Sequence, residues 1–472
     1  MKPHYSITTR LLTPGLLALA LTASVFGQGS LTPPAGAPVP TMKTLQQIEP
    51  RVDVNSLAGD ATNARVISQP GSYYLSGPLD VLLGKTNGIA ITAPDVTLDL
   101  NGFTIHRTSA PVGAGILVSA ARAIIRDGRI DSFLNGVSTT ATGDTIRLER
   151  MTASNCSGYG FSLAVNASLT DCTATKNTGG GFSAGDSGVF DRCVASGNLS
   201  AAGFQVGTAS MLTACVVREH IGTLGMEVGP FSHLDKCVLT GLTLSNFVIH
   251  AGDSCLIESC LASASTVAGG LVAEAHCKVL NCHLDTLNIS GTGSAILVAT
   301  GSRVSGCVCD DNNAPFALNT SIGITGGLYC TIEDCTVNRN PGAGIKTGYA
   351  CQVNRCHVTL GSVDGIVIGG ARNVVRDNVC SNNTNYGISL PATVTGCRVE
   401  ANEVDASAQG LSVAGTGNLI FHNTATGNTT NYVIAANNKV GVIVVAPNSS
   451  AISGGSGGAG VGTTDPWANF SF

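Results

Sequence analysis

A short pattern of glycine, an apolar residue, any residue and a second apolar residue recurs through most of this 472-residue chain. Successive copies begin about 22 residues apart, although a few of them replace the glycine. They begin at Gly88, Gly115, Gly136, Gly160, Gly181, Gly203, Gly225, Asn246, Gly270, Ala295, Pro315, Gly344, Gly365, Gly387, Gly410 and Asn431. A unit this short cannot bury its apolar side chains alone, so stacked copies must share one core. The pattern therefore predicts a solenoid.

A second position, occupied mostly by cysteine, recurs with the same period. We call it the marker, and it falls at Asn101, Gly128, Met151, Cys172, Cys193, Cys215, Cys237, Cys260, Cys282, Cys307, Cys335, Cys356, Asn378, Cys397 and Asn423. The residue three positions earlier is aliphatic or phenylalanine in every copy, for example Leu98, Phe190 and Val394. A position that is never polar is predicted to point into the core.

Within each repeat the apolar residues alternate with a period of two, as in β-strands, and the 3.6-residue spacing of helices is missing. Aromatic residues make up 5% and charged residues 12% of the chain, whereas 59 residues are glycine. This composition suits a thin aliphatic core better than a compact globular one. We predict an all-β, right-handed parallel β-helix of about fifteen coils of about 22 residues.

The first 27 residues have the features of a secretory signal peptide. Lys2 and Arg10 supply the positive region, Leu11–Val25 the apolar region, and cleavage is expected near Gly27. No other stretch is long and apolar enough to span a bilayer. We therefore expect an exported protein that is secreted, periplasmic or at the cell surface, with no membrane span once the signal is removed.

Composition divides the rest of the chain. Residues 28–41 are predicted to be a Pro/Gly-rich linker, and residues 42–87 a cap over the first strand edge, with a short helix at 42–49. The β-helix is expected over 88–446, and 447–472 form a Gly/Ser-rich linker with an aromatic tail. That tail holds the one tryptophan of the chain, Trp467, and is expected to fold back over the last coil, with a docking peptide as the alternative.

The stretches PDVTLDLNGFTI (94–105) and GFSAGDSGVFDRCVASGN (181–198) resemble the pectate-lyase-like superfamily of right-handed parallel β-helices. The resemblance extends over residues 65–445 and is particularly to secreted bacterial β-helix repeat proteins of unassigned function. It implies the fold and leaves the activity open, because this superfamily includes lyases, hydrolases, epimerases, adhesins and proteins that are not enzymes.

Seventeen cysteines in an exported chain permit three interpretations. Equivalent slots hold either cysteine or asparagine in later repeats, which favours a ladder of small side chains stacked inside the core. A metal site is the second interpretation, and its best ligand cluster is His276, Cys277, Cys282 and His283. Disulfides between stacked coils are the third. No cofactor is predicted.

Charged residues just before the marker alternate in sign from repeat to repeat, as in Asp127, Arg150, Asp171 and Arg192. Like charges on adjacent strands repel and opposite charges attract. We interpret these residues as devices that hold the stacking register.

That interpretation leaves Asp310 and Asp311, in the longest repeat, as the candidate catalytic carboxylates. Paired aspartates on a β-helix resemble those of polygalacturonase-like hydrolases, in which carboxylates flank the bond that is cleaved. The other motifs of that family are missing, and Asp-Asp-Asn-Asn is typical of a turn. Tyr159, Tyr329, Tyr349 and Tyr386 are expected to be isolated surface residues.

A net charge of −5 without a basic stripe argues against a nucleic-acid partner. The sequence favours an exported, non-catalytic β-helix that serves as a scaffold or binding protein, with a polysaccharide or a component of the cell surface or matrix as partner. The alternatives are a polysaccharide lyase or glycoside hydrolase that uses Asp310 and Asp311, and a periplasmic metal-handling protein.

Overall fold

The computed structural model describes residues 51–312, 320–361, 363–445, 451–454 and 464–472. The chain divides into two units, Met1–Pro50 and Arg51–Phe472, and everything below concerns the second. The predicted signal peptide (1–27), linker (28–41) and short helix (42–49) lie outside the described residues. In the part of the chain that is described, no helix is long and apolar enough to cross a membrane.

Each coil of the second unit has three faces, and every strand pairs in parallel with its copy in the next coil. The first face contains the Gly-apolar-x-apolar pattern, in strands that are often five residues long. Its strands are Asn63–Ile67, Asn87–Ile91, Ala114–Val118, Asn135–Thr139, Tyr159–Leu163, Gly180–Ala184, Leu199–Val206, Ile221–Val228, Thr243–Leu244 with Phe247–Ala251, Thr266–Val267 with Gly269–Ala273, Asn288–Ile289 with Ser294–Val298, Ile322–Gly326, Ile345–Thr347, Ile366–Ile368, Tyr386–Leu390, Gln409–Val413, Thr430–Ile434 and Ala451–Gly454.

The second face precedes the marker. Its strands are Val52–Asp53, Gly71–Tyr74, Val96–Asp99, Ile124–Asp131, Arg147–Ser154, Ser168–Thr170, Val189–Asp191, Met211–Thr213, His233–Asp235, Leu256–Glu258, Lys278–Leu280, Arg303–Ser305, Thr331–Glu333, Gln352–Asn354, Val374–Arg376, Arg398–Glu400, Leu419–Phe421 and Lys439–Val440.

The third face follows the marker, and two second-face strands, Ile124–Asp131 and Arg147–Ser154, continue into it. Its other strands are Leu79–Val81, Thr104–Arg107, Thr173–Thr175, Val194–Ser196, Val216–Arg218, Val238–Thr240, Leu261–Ser263, His283–Asp285, Val308–Asp310, Thr336–Asn338, His357–Thr359, Val379–Ser381, Glu403–Asp405, Thr424–Thr426, Ile443–Val445 and Asn469–Ser471. A 3-10 turn, Val54–Ser56, is the one helical element of the described residues.

The predicted right-handed parallel β-helix is confirmed, but it has about 18 turns instead of about fifteen. The additional coils lie at both ends of the repeat. Asn63–Ile67, inside the segment expected to cap the solenoid, already pairs in parallel with Asn87–Ile91. At the other end, Ala451–Gly454 pairs with Thr430–Ile434. At about 4.8 Å per coil the stack is about 80 Å long.

The strand registers correct three assignments made from the repeat. Ile249 pairs with Met226, so the copy assigned to Asn246 begins at Val248. Ile324 pairs with Ile296, so the copy assigned to Pro315 begins at Gly323.

The marker assigned to Cys397 is also wrong, because Val399 rather than Val394 pairs with Val375 and Asn402 follows Asn378. In each case the length of the repeat differs from that of its neighbours, so the sequence alone did not show which residue holds the equivalent position.

The core is a set of columns in which a residue stacks on its counterpart in the next coil. Phe161, Phe182 and Phe204 stack with ring centroids 4.9 and 4.5 Å apart. Close stacking favours glycine at the first position of the first-face pattern, since a Cβ on Gly225 would lie 2.4 Å from the carbonyl oxygen of Val248.

The residue before the marker adopts a left-handed backbone conformation in every coil from Asp127 to His422. This bend turns the chain from the second face to the third and directs its side chain outward. The alternating charges stand here and form bidentate pairs with the preceding coil: Arg150 with Asp127 at 2.6 and 2.9 Å, and Arg192 with Asp171 at 2.8 and 3.0 Å. The charged residues therefore face one another, as the alternation predicted.

All seventeen cysteines are buried free thiols. Nine stand at the marker in successive coils from Cys172 to Cys356. Several more share a second internal column with serine and asparagine, in which backbone N–H groups donate to the side chain of the coil that follows, for example Cys330 to Cys351 and Cys351 to Asn373. Burial raises the pKa of the Cys156 thiol to about 12.

The C-terminal residues fold back onto the solenoid. Asn469–Ser471 pairs in parallel with both Ile443–Val445 and Thr424–Thr426. The buried Asn469 amide accepts from the N–H of Asn423 at 2.9 Å, which places Asn469 at the end of the marker column.

We expect Arg150→Asp to destabilise the solenoid by about 0.5–2 kcal/mol, because it removes one ion pair and inserts an acid between Asp127 and Asp171. Arg150 lowers the pKa of Asp127, so the contribution of the pair is present above the ordinary carboxylate range and is lost as the pH falls through that lowered pKa. The measurement is urea unfolding at low and at 1 M salt, where the loss should shrink. Lys176→Asp, at another left-handed exposed bend, is the control. An equal effect of both changes would contradict the pairing.

We expect most of the seventeen thiols to react with a thiol reagent in denaturant without any reductant, and few of them to react in the native protein, because every one is buried. The measurement is thiol counting in both states. Six or more disulfides in the denatured protein would show that the stacked cysteines are bridged.

Candidate functional site

Five polar side chains from neighbouring coils meet on the outer surface of the first face. We call Tyr159, Gln205, Glu227, His250 and Glu274 the polar row. Gln205, Glu227 and His250 hold the same outward position in three successive strands, as their register shows. Gln205 Nε2 donates to Glu227 Oε2 at 2.9 Å. The core does not constrain this position, so its polar residues are available to a ligand.

Tyr159 joins the polar row from two coils away. Its hydroxyl donates to Gln205 Oε1 at 3.0 Å, with the ring lying across Gly180 of the intervening coil. A Cβ on Gly180 would lie 2.6 Å from the Tyr159 ring, and Gly180 has a φ of +142°, so only glycine permits this crossing. Burial, and to a lesser degree the charge of Glu227, raises the pKa of Tyr159, which keeps the phenol a hydrogen-bond donor.

His250 lies between two carboxylates. Its Nδ1 is 3.9 Å from Glu227 Oε1, and its Nε2 is 3.4 Å from Glu274 Oε1. These three side chains are 31–50% exposed, so the cluster is open to solvent. Hydrogen bonding from one coil to the next aligns it along the solenoid axis.

A groove of about 430 Å³ runs beside the polar row. Its floor is formed by Gly207, Gly229 and Gly252, each of which follows a first-face strand in successive coils. Ser183 and Pro230 complete its walls. A Cβ at any of the three glycines would lie 2.3–2.7 Å from atoms of the coil below, so the floor carries no side chains. We call this the glycine-floored groove.

Acidic residues dominate the surroundings of the groove. Glu227 lines it, and Glu274 holds the position of Gly252 in the next coil, within 3.4 Å of the lining residue His250. Asp186 and Asp253 lie in the adjoining turns and accept backbone hydrogen bonds from Thr208 and Ala275. No lysine or arginine lines the groove. Phe231, which follows the lining residue Pro230 in the sequence, is 67% exposed. This set can donate and accept hydrogen bonds and repels anions.

The candidate carboxylates Asp310 and Asp311 lie elsewhere, on the third face. Asp310 stacks between Asp285 and Asn338, and its Oδ2 accepts from Arg339 at 2.8 Å. Its Oδ1 is buried without a hydrogen-bond partner among the described residues. Asp311 occupies the left-handed bend that follows, with a φ of 51°. The structure therefore places the two carboxylates in different backbone environments, beside residues 313–319, which lie outside the described part.

The candidate metal ligands are separated by the wall of the solenoid. Cys277 and Cys282 are buried, whereas His276 and His283 are exposed. The Cys277 thiol donates inward to the Gly252 carbonyl at 3.1 Å. The four residues are therefore not brought together, and no cluster of three or more possible ligands occurs in the described ranges.

The expectation of isolated tyrosines is wrong for three of the four. Tyr159 belongs to the polar row. Tyr329, which is 58% exposed, contacts Tyr349 edge to face with centroids 5.7 Å apart, and the Arg372 guanidinium lies 5.7 Å from the Tyr349 ring centre. Stacking of coils brings together residues that are about 20 positions apart in the sequence.

The sequence contained a signal for the polar row that the repeat analysis missed. Gln205 and Glu227 occupy the x position of the Gly-apolar-x-apolar pattern, where most copies have a small or aliphatic residue. His250 occupies it as well, but the assignment of that copy to Asn246 shifted His250 out of alignment. Alignment of the x positions would have shown three successive long polar side chains, Gln205, Glu227 and His250.

A family model described as a right-handed β-helix region matches residues 202–390 and 319–454, together more than half of the chain. No curated protein matches the sequence.

Solved structures that resemble the chain include tailspike protein 3 of bacteriophage CBA120, at 10% identity and a TM-score of 0.32, with 86% of this chain and 65% of the tailspike covered. They also include the A-module of the mannuronan C-5 epimerase AlgE6 of Azotobacter vinelandii, at 12% identity and a TM-score of 0.23, with 85% and 90% covered. A third is the catalytic domain of a GH87 α-1,3-glucanase, at 10% identity and a TM-score of 0.28, with 72% and 64% covered. The chain thus spans just under two thirds of the tailspike and of the glucanase domain.

Proposed function

The chain belongs to the right-handed β-helix family, and we propose that it is an exported, non-catalytic member that binds a neutral polysaccharide in the glycine-floored groove. The observation that carries this proposal is the polar row, in which five side chains from neighbouring coils line up beside a floor without side chains.

The chemistry of the groove suits a chain of hydroxyl-bearing rings. Amide, carboxylate, imidazole and phenol groups together offer donors and acceptors for hydroxyl groups. Successive side chains repeat at about 4.8 Å along a rigid stack, so their positions are set before a ligand arrives. Phe231, the next residue after Pro230 of the groove, is 67% exposed.

The charge of the groove selects among polysaccharides. Glu227 and Glu274 flank it, and its lining contains neither lysine nor arginine. A uronic-acid polymer would therefore meet like charge at short range. This is the reason for proposing a neutral polysaccharide.

A binding role accounts for the geometry better than hydrolysis does. A glycoside hydrolase needs two carboxyl groups on opposite sides of an open space for the scissile bond. Glu227 and Glu274 have the His250 ring between them and in contact with both, so that space is occupied. Asp310 is paired with Arg339 on another face.

Export is part of the proposal and rests on the signal-like residues 1–27. Protein recovered outside the cytoplasm should begin near Gln28, whereas an intact N-terminus on cytoplasmic protein would contradict it.

We expect the double change Gln205→Ala/Glu227→Ala to weaken binding of a neutral polysaccharide by about tenfold or more, because each lost hydrogen bond contributes about 1 kcal/mol. The measurement is titration calorimetry against neutral and uronic-acid polysaccharides. Ser389→Ala/Ser412→Ala, at the same outward position in distant coils, is the matched control and should bind normally.

The same samples are assayed for new reducing ends and for unsaturated products, with and without calcium, beside Asp310→Ala/Asp311→Ala. The proposal expects no turnover. Turnover that the aspartate variant abolishes would establish the enzyme alternative, and unchanged binding by the Gln205/Glu227 variant would remove the groove from the site.

A further inference from the structure

The folded-back tail presents Trp467 at the C-terminal end of the solenoid. Asp465 Oδ1 accepts from the N–H of Trp467 at 2.9 Å, and Asn469–Ser471 is paired on both sides. The buried Tyr432 hydroxyl donates to the Phe470 carbonyl at 2.8 Å. The tail is thus fastened immediately after Trp467, so the indole has a defined position.

The indole packs against the rings of two consecutive residues, Phe421 at the end of a strand and His422 at the bend that follows. It stacks on His422 at 5.6 Å with the planes 12° apart, and it meets Phe421 at 5.0 Å and 78°. Trp467 nevertheless remains 55% exposed. An exposed, oriented indole is costly to leave in water and is typical of a contact surface.

A cavity of about 410 Å³ opens beside this ring, and we call it the tail pocket. Apolar walls come from Leu419, Phe421, Val440 and Val442, and the two charged residues of its lining are Lys439 and Asp465. A mostly apolar cavity of this size with a few polar groups is typical of a small-molecule site.

We infer that the tail pocket binds one end of a neutral oligosaccharide through Trp467, Lys439 and Asp465, as a second site independent of the glycine-floored groove. The apolar C–H face of a sugar ring packs on the electron-rich face of an indole, while its hydroxyl groups accept from an ammonium and donate to a carboxylate. A wholly apolar ligand would strip water from the exposed Lys439 ammonium without replacing its hydrogen bonds.

The choice of a saccharide rests on the proposed function, but the location does not. Phe421 lies eight coils beyond Glu227, which is about 40 Å along the stack. A short oligosaccharide cannot bridge that distance, whereas a long polysaccharide can occupy both sites and gains avidity from doing so.

The test uses intrinsic tryptophan fluorescence, because Trp467 is the single tryptophan of the chain. The full-length protein is titrated with maltohexaose, cellohexaose and laminarihexaose. We expect a saturable change in emission with at least one of them, unchanged in the Gln205→Ala/Glu227→Ala variant. Lys439→Ala should weaken it about tenfold, as loss of a charge-assisted hydrogen bond does. Lys278→Ala, an exposed lysine on the same face many coils away, is the matched control.

Failure of the two sites can be told apart. If calorimetry detects groove binding while the emission of Trp467 stays constant, the inference is overturned and the proposed function stands. If the emission change persists in the groove variant and falls in Lys439→Ala, the inference stands even when the groove binds nothing. If none of the three hexasaccharides changes the emission of Trp467, but the dye anilinonaphthalene sulfonate changes it saturably, the tail pocket is an apolar site and the inference is overturned.

Discussion

The parallel hydrogen bonding of each coil to the next is the interaction on which the rest of this structure depends. It brings every residue to within about 4.8 Å of the equivalent residue in the next coil. A side chain must therefore fit beside the side chain at the same position of the adjacent coil. Phe161, Phe182 and Phe204 satisfy this by stacking their rings, and Gly225 satisfies it by leaving space for the next backbone. Outside the core, Asp127 and Arg150 satisfy it by opposite charge.

The same constraint explains why the marker is occupied by cysteine in the middle coils and by asparagine in the later ones. The thiol of Cys356 donates to the Ile332 carbonyl of the preceding coil at 3.8 Å, and the amide of Asn378, one coil later, donates to Val353 at 2.9 Å. The asparagine also accepts from the backbone N–H of Cys356 at 2.9 Å. Both side chains are small and donate to a backbone carbonyl of the preceding coil. Asparagine also offers a side-chain oxygen that accepts from the backbone N–H of the preceding marker residue. Asn469, in the tail, makes this contact with Asn423 and is the last residue of the marker column.

Outward positions are not constrained by the packing of the core, and the candidate sites lie there. In the polar row, stacking aligns Gln205, Glu227 and His250, while glycines at the adjoining turn keep the groove open. At the C-terminal end the tail supplies Trp467, which the repeats do not contain. A polymer that follows the solenoid axis can reach both places, and a stiff stack holds them at a constant separation.

The period of the repeat and the apolar column before the marker were enough to predict the fold, because both depend only on local alternation and on the spacing of one coil. They were insufficient where coil length varies. Asn246, Pro315 and Cys397 were placed out of register because the extra residues could be assigned to either side of a turn, and only backbone pairing decides which. For the same reason His250 could not be aligned with Glu227. Asp310 and Asp311 stood out in the sequence as neighbours, yet a strand ends between them and Arg339 of the next coil pairs with Asp310.

The sequence by itself determined which positions face the core, since burial imposes a pattern on every repeat. Apart from the alternating charges beside the marker, whose pairing the sequence predicted, only the tertiary structure decided which exposed residues meet, because coil lengths vary and backbone pairing alone sets the register.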